Sequence, residues 1–213
     1  MNLKLNLKFV CYIAVIAAFS SSHSGAFDDF FEAVRANKAA DVTQLLARGF
    51  DPNTHEPSGQ SALTLAVRDN AGQVIEALLR HPQLDLNAPN HAGETALMLA
   101  ALKGNLALVR RFVERGAAIN QTGWSALHYA ASGPDPQVAA WLLERGAELD
   151  ARSPNGTTPL MMAARYGPEQ TAELLLAKNA DTNVRNERGL SAADFARAAG
   201  REALAKRLDS RLR

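Results

Sequence analysis

Reactive chemistry is scarce in this chain. It holds a single cysteine, Cys11, inside an apolar stretch near the start, so the rest has no thiol nucleophile, disulfide or cysteine-ligated metal. Aromatic residues make up only 6% of the 213 residues, and neither sign of charge dominates, with 23 basic against 22 acidic side chains. A near-neutral balance with an isoelectric point near 7.9 gives no electrostatic footprint for a nucleic-acid partner. No HExxH, paired CxxC or phosphate-cradling glycine loop occurs. After residue 26 the histidines are His55, His81, His91 and His128, with no pair at the helical spacing that holds zinc, so no metal and no cofactor is expected. Gly123-Trp124-Ser125 starts like a nucleophile elbow but lacks the second glycine, and catalysis is not expected.

What is abundant is alanine and leucine, which favours helix. The first 26 residues differ from the rest. MNLKLNLK supplies two lysines and no acid, Phe9 to Phe19 is an unbroken apolar run of eleven, and small residues follow. This pattern predicts a secretory signal peptide over 1–26, cut between Ala26 and Phe27, and a periplasmic destination. Eleven residues fall well short of the ~20 a membrane-spanning helix needs, so no membrane role beyond the signal is expected. Removing Lys4 and Lys8 would leave the basic residues one short of the 22 acidic ones.

From there the chain repeats itself. SALTLAV, TALMLAA, SALHYAA, TPLMMAA and SAADFAR begin at Ser61, Thr95, Ser125, Thr158 and Ser191, in steps of 34, 30, 33 and 33. DDFFEAV at Asp28 fits as a sixth copy. A second phrase rich in Leu-Leu pairs follows each and ends on Asn53, Asn87, Asn120, Asp150 or Asn183. The hydroxyl suits a helix N-cap, the alanine pairs make a narrow helix face, and Gly49, Gly116, Gly146 or Asn179 suits a left-handed helix end. Each unit is a helix pair that cannot bury its apolar side alone, so copies must stack.

The phrase at Ser125 to Ala130 and that at Thr158 to Leu160 resemble the TPLHxA motif of the ankyrin-repeat family. The resemblance covers residues 27–213. It implies an all-α solenoid of six helix-turn-helix units with short β-hairpin loops: 27–53 as N-terminal cap, then 54–87, 88–120, 121–150, 151–183 and 184–213 as C-terminal cap. It also implies that His128 ties the loops of adjacent repeats. Trp141 is expected in the core, His81 in a plain turn, and the basic terminus with Arg201, Lys206, Arg207 and Arg211 as a solvated cap.

The family's contact positions, carried over by position, are the hairpin tip, the residue before the cap and the pair after the two alanines. They put Gln121 and Thr122, Glu94 and Trp124, Arg68 and Asp69, Leu102 and Lys103, and Arg165 and Tyr166 on a concave protein-binding face. The finger from Asn120 to Ser125 takes five steps where its neighbours take eight. It either makes room for a projecting partner element beside Trp124, or Trp124 folds over and plugs the gap. The resulting expectation is a monomeric, non-catalytic module that holds, inhibits or stabilises one protein partner, as an immunity-type inhibitor or an accessory factor. An enzyme on a solenoid scaffold and a passive spacer are the competing classes.

Overall fold

The computed structural model describes residues 25–211; most of the expected signal segment lies outside them. The chain divides into two compact units, one through Leu84 and one from Asp85. The first holds α1 (helical over 25–35), α2 (Ala39–Ala47), α3 (Ala62–Arg68) and α4 (Gly72–Leu79). The second holds α5 (Ala96–Leu102), α6 (Leu106–Glu114), α7 (Ala126–Ser132), α8 (Pro136–Glu144), α9 (Pro159–Arg165), α10 (Glu169–Ala177), α11 (Ala192–Ala198) and α12 (Glu202–Asp209). The expected cut after Ala26 falls within the helical run of α1, where the Phe27 ring packs 4.9 Å from that of Phe31.

In the first unit α4 packs on α2 and α3, over a core of Phe30, Val34, Val42, Leu65, Val74 and Leu78. Asn37, held at φ 54°, accepts from the Gln73 and Val74 N–H groups and so caps α4 from the preceding repeat. In the second unit the odd-numbered helices stack in order, α5 on α7, α7 on α9 and α9 on α11, and each pairs with the helix that follows it. Ala100, Ala101, Ala130, Ala131, Ala163 and Ala164 are all sealed from solvent at these contacts. The helix-ending residues Gly116, Gly146 and Asn179 adopt the left-handed conformation read from the sequence.

The starts of α5, α7, α9 and α11 are fixed by one recurring device. The residue three positions after the cap reaches back to the N-cap N–H: Met98 Sδ to Thr95 and Met161 Sδ to Thr158 at 3.4 Å, Asp194 Oδ2 to Ser191 at 2.8 Å, and His128 Nδ1 to Ser125 at 3.2 Å. Thr95, Thr158 and Ser191 also cap with their hydroxyls, as expected. Ser125 departs from that expectation. Its hydroxyl meets His128 Nδ1 at 2.9 Å, while the His128 N–H turns to the Ser125 carbonyl at 3.1 Å.

The fingers carry turns, not the regular strands that hairpin loops suggest. Asn90 with Glu94, Ser153 with Thr157 and Asn186 with Leu190 each exchange bonds across a tip, but the described residues show only an isolated bridge, His55 to Ser61. Each finger is one bonded pair wide, too narrow for a ladder. The terminal anchors tie repeats together: Asn87 Oδ1 accepts from Ala118 N–H, Asn120 binds the Gly146 carbonyl and the Glu148 N–H, and Asp150 accepts from Asp181 N–H. At the C-terminal end Arg207 pairs with Glu169 and Glu173, and Arg201 donates to the carbonyls of Ala163 and Gly167. Trp141 is buried, as expected, with the Arg145 guanidinium 4.7 Å from its ring centre. His81 stands in a turn, where its Nδ1 accepts from Gln83 N–H at 3.3 Å.

Close stacking leaves no room for side chains at two helix ends. A Cβ on Gly167 would lie 2.0 Å from the Ala131 carbonyl oxygen, and one on Gly133 would lie 2.8 Å from that of Ala101. Gly167→Ala is therefore expected to lower unfolding free energy by about 1–3 kcal/mol. Gly72→Ala, with nothing within 4 Å of the added carbon and a helical position, should change it by less than ~1 kcal/mol, in the stabilising direction. Urea unfolding of the two variants checks the pair.

Candidate protein-binding groove

Six side chains from three successive repeats enclose an open groove of about 470 Å³ in the second unit: Leu102, Trp124, Tyr129, Ser132, Met162 and Tyr166. Its lining is mostly apolar. Leu102 is 40% and Tyr166 55% exposed, and they are the only large hydrophobic residues so exposed among the described residues. Both lie on the same groove.

The repeat from 121 to 150 creates this space by being short twice. Its finger lacks three residues, so Trp124 directly precedes the cap at Ser125 with only Gly123 behind it. At the end of its first helix stands Gly133, where the flanking repeats place Lys103 and Tyr166. Gly133 is buried against the Ala101 and Leu102 carbonyls, so α7 ends close on α5, and the groove runs over Ser132 between Leu102 and Tyr166. Pro154 of the following finger sits 3.4 Å from where a Gly123 Cβ would be, so that finger leans against the shortened one.

Trp124 is half-buried, packed on its own repeat and facing the groove. Its ring stands edge-on to His128, with centres 5.2 Å apart, and to Tyr129 at 6.4 Å, and it still lines the groove. Edge-to-face geometry of this kind fixes ring orientation. Beneath it, His128 is fully buried. Because Nδ1 accepts the Ser125 N–H, the neutral ring carries its proton on Nε2, which donates to the Thr157 carbonyl of the next repeat at 3.0 Å. This is the inter-repeat tie implied by the TPLH position. Burial holds the ring's pKa below its usual 6.5, against the opposing pull of backbone partners at Thr157 and Ala151.

Tyr129 is oriented from the neighbouring repeat. Its hydroxyl donates to Glu94 Oε1 at 2.8 Å, while Glu94 Oε2 accepts from Asn90 Nδ2 at 2.8 Å. Burial first, then the hydrogen bond and charge of Glu94, raise the Tyr129 pKa. Glu94 thus has both oxygens engaged within the chain and acts as a brace for Tyr129.

Of the remaining sequence candidates, Arg165 is exposed next to Tyr166, its guanidinium 5.2 Å from the Tyr166 ring centre and 6.0 Å from that of Phe195. Lys103 is exposed next to Leu102. Gln121 donates weakly to the Gly93 carbonyl at 3.4 Å and Thr122 is exposed; neither lines the groove. Arg68 and Asp69 belong to the first unit and pair with each other at 3.0 Å. Sequence reasoning missed Tyr129 and Met162. Each is the variable residue of its phrase, four positions after the cap, and a helical wheel places it beside positions 133 and 166 one turn later. Among the described residues no three His, Cys, Asp or Glu side chains gather as a metal site would need, and no helix is long and apolar enough to cross a membrane.

The buried His128 makes stability depend on pH. The unfolded ring binds a proton near pH 6.5 and the folded ring only at lower pH, so the unfolded state binds more protons in between. Its contribution should be complete above about pH 6.5 and fall away as the pH drops toward the folded value. His128→Gln is expected to flatten that slope while lowering stability at about pH 8, measured by urea unfolding across the range.

The sequence similarities run along the same repeats. The family model for ankyrin repeats (three copies) matches residues 30–122, 73–153, 106–186 and 135–208. The human SH3 and multiple ankyrin repeat domains protein 2 is 35% identical over 158 residues, 71% of this chain. The Caenorhabditis elegans protein glp-1 is 29% identical over 189 residues, 81% of this chain. The chain spans only 8% and 15% of the length of these two relatives. Among solved structures, a chain in the complex of the predatory endopeptidase Bd0816 from Bdellovibrio bacteriovorus with the immunity protein Bd3460 aligns with a TM-score of 0.70 and 25% identity, over 86% of this chain and 97% of that one. With the family model covering most of its length and the stacked helix pairs in place, this chain belongs to the ankyrin-repeat family.

Proposed function

We propose that this chain is a non-catalytic inhibitor that grips a protein partner through the groove of its second unit, in the manner of an immunity protein holding an endopeptidase in check. The observation that carries this reading is the pooling of the exposed large hydrophobic side chains, Leu102 and Tyr166, on one groove braced by Trp124 and Tyr129. Apolar and aromatic side chains concentrated on a rigid surface are what interface cores use. The Ser125–His128 contact offers no chemistry, since it is buried and both ring nitrogens are committed to the fold. The likeness to a chain from an endopeptidase–immunity protein complex supports inhibition over a purely accessory task. The lysine-bearing, apolar N-terminal segment supports export, and with it a periplasmic setting for the partner.

The test uses purified chain added to an exported endopeptidase of the same organism. Turnover is expected to stop at one chain per enzyme. Leu102→Ser combined with Tyr166→Ala removes exposed side chains, so its melting temperature should hold while inhibition weakens about thirtyfold, equivalent to ~2 kcal/mol. Unchanged inhibition by that double variant, or the absence of any inhibited peptidase, would overturn the proposal.

A further inference from the structure

The groove also carries information about what enters it, and this step rests on the binding role just proposed. Three rings and a thioether, those of Trp124, Tyr129, Tyr166 and Met162, face one small volume. Rings that meet edge-on and a polarisable sulfur at a ring's edge both favour an aromatic guest over a branched aliphatic one. The groove, about 470 Å³ in volume, has room for such a guest.

The rim is charged with one sign. Lys103 ends α5 on one side of the gap and Arg165 lies in the last turn of α9 on the other, and both are exposed. Neither forms an ion pair among the described residues. Of the carboxylates close by, Glu94 is half-buried with each oxygen accepting a hydrogen bond from within the chain, and Asp135, which lies against Gly104, caps α8 by accepting from the Gln137 N–H and forms no ion pair with Lys103. A cation at a helix C-terminus also answers the helix dipole, which accounts for the position of each residue separately. It does not account for two cations without an acidic partner, Lys103 and the ring-stacked Arg165, beside one apolar opening.

We infer that the groove receives a protein segment that presents one aromatic side chain flanked by carboxylates, with the ring entering between Leu102 and Tyr166 and the acids meeting Lys103 and Arg165. The rim charges then set which partner approaches and in which register, while the apolar floor supplies the hold. Rim pairs of this kind weaken as salt rises, whereas the apolar contact does not.

The probes are three short peptides, acetyl-Glu-Phe-Glu-amide, acetyl-Lys-Phe-Lys-amide and acetyl-Glu-Ser-Glu-amide, titrated into the full chain. The indole N–H signal of Trp124 is followed by NMR, with buried Trp141 as the internal reference. The acidic phenylalanine peptide is expected to shift Trp124 and to bind at least tenfold more tightly than the lysine peptide, and the serine peptide to leave the signal in place. Lys103→Glu combined with Arg165→Glu should invert the preference. Equal titration by both phenylalanine peptides, no titration by either, or a charge reversal that moves only the melting temperature each overturns the inference. The endopeptidase assay separates the two claims. Inhibition kept by the charge-reversed chain but lost by Leu102→Ser with Tyr166→Ala defeats this inference and leaves the inhibitor reading standing. Inhibition insensitive to the apolar pair defeats the inhibitor reading itself.

Discussion

Close contact between alanine-faced helices sets the geometry of the second unit. Alanine at positions 100, 101, 130, 131, 163 and 164 lets α5, α7 and α9 approach until backbone nearly touches backbone, and glycine at 133 and 167 is the only residue that fits where they meet. At that separation, side chains from three repeats share one small surface. A bulkier residue at any alanine would push the helices apart and with them the walls of the groove. Packing of this density transmits displacement instead of absorbing it.

The polar bonding follows the same logic. The residue three positions after each cap reaches back to it, and His128 extends that role outward to the Thr157 carbonyl. Glu94 crosses in the opposite sense, from its finger to Tyr129. Between these two links Trp124 is held edge-on and has little freedom left to lose when something binds. A contact surface ordered beforehand forfeits less entropy on association than one that must be assembled.

Much of this was legible in the residues. The spacing of the SALHYAA-type phrases located all five first helices from α3 onward, and left-handed helix ends fell where Gly or Asn recurs. Leu102, Trp124 and Tyr166 came from position alone, and the structure brings them together. Gln121 and Thr122 do not line the groove, because a place in the repeat says which residues are dispensable for stacking, not which ones converge. Tyr129 and Met162 escaped because the pattern treats their position as filler, although one helical turn links it to the groove. Ser125 escaped for a different reason. Two hydrogen-bonding arrangements compete for its hydroxyl, and the nearby imidazole wins it.

The anchors at Asn87, Asn120 and Asp150 reach across to the next repeat at the base of each finger, away from its tip. The stack is therefore riveted at positions that finger length does not affect. A finger can gain or lose residues as the chain diversifies while the helices behind it keep their places, much as a comb keeps its spine when a tooth is filed down. Insertions and deletions at these tips are thus a route by which one scaffold can acquire new surface contours without being redesigned underneath.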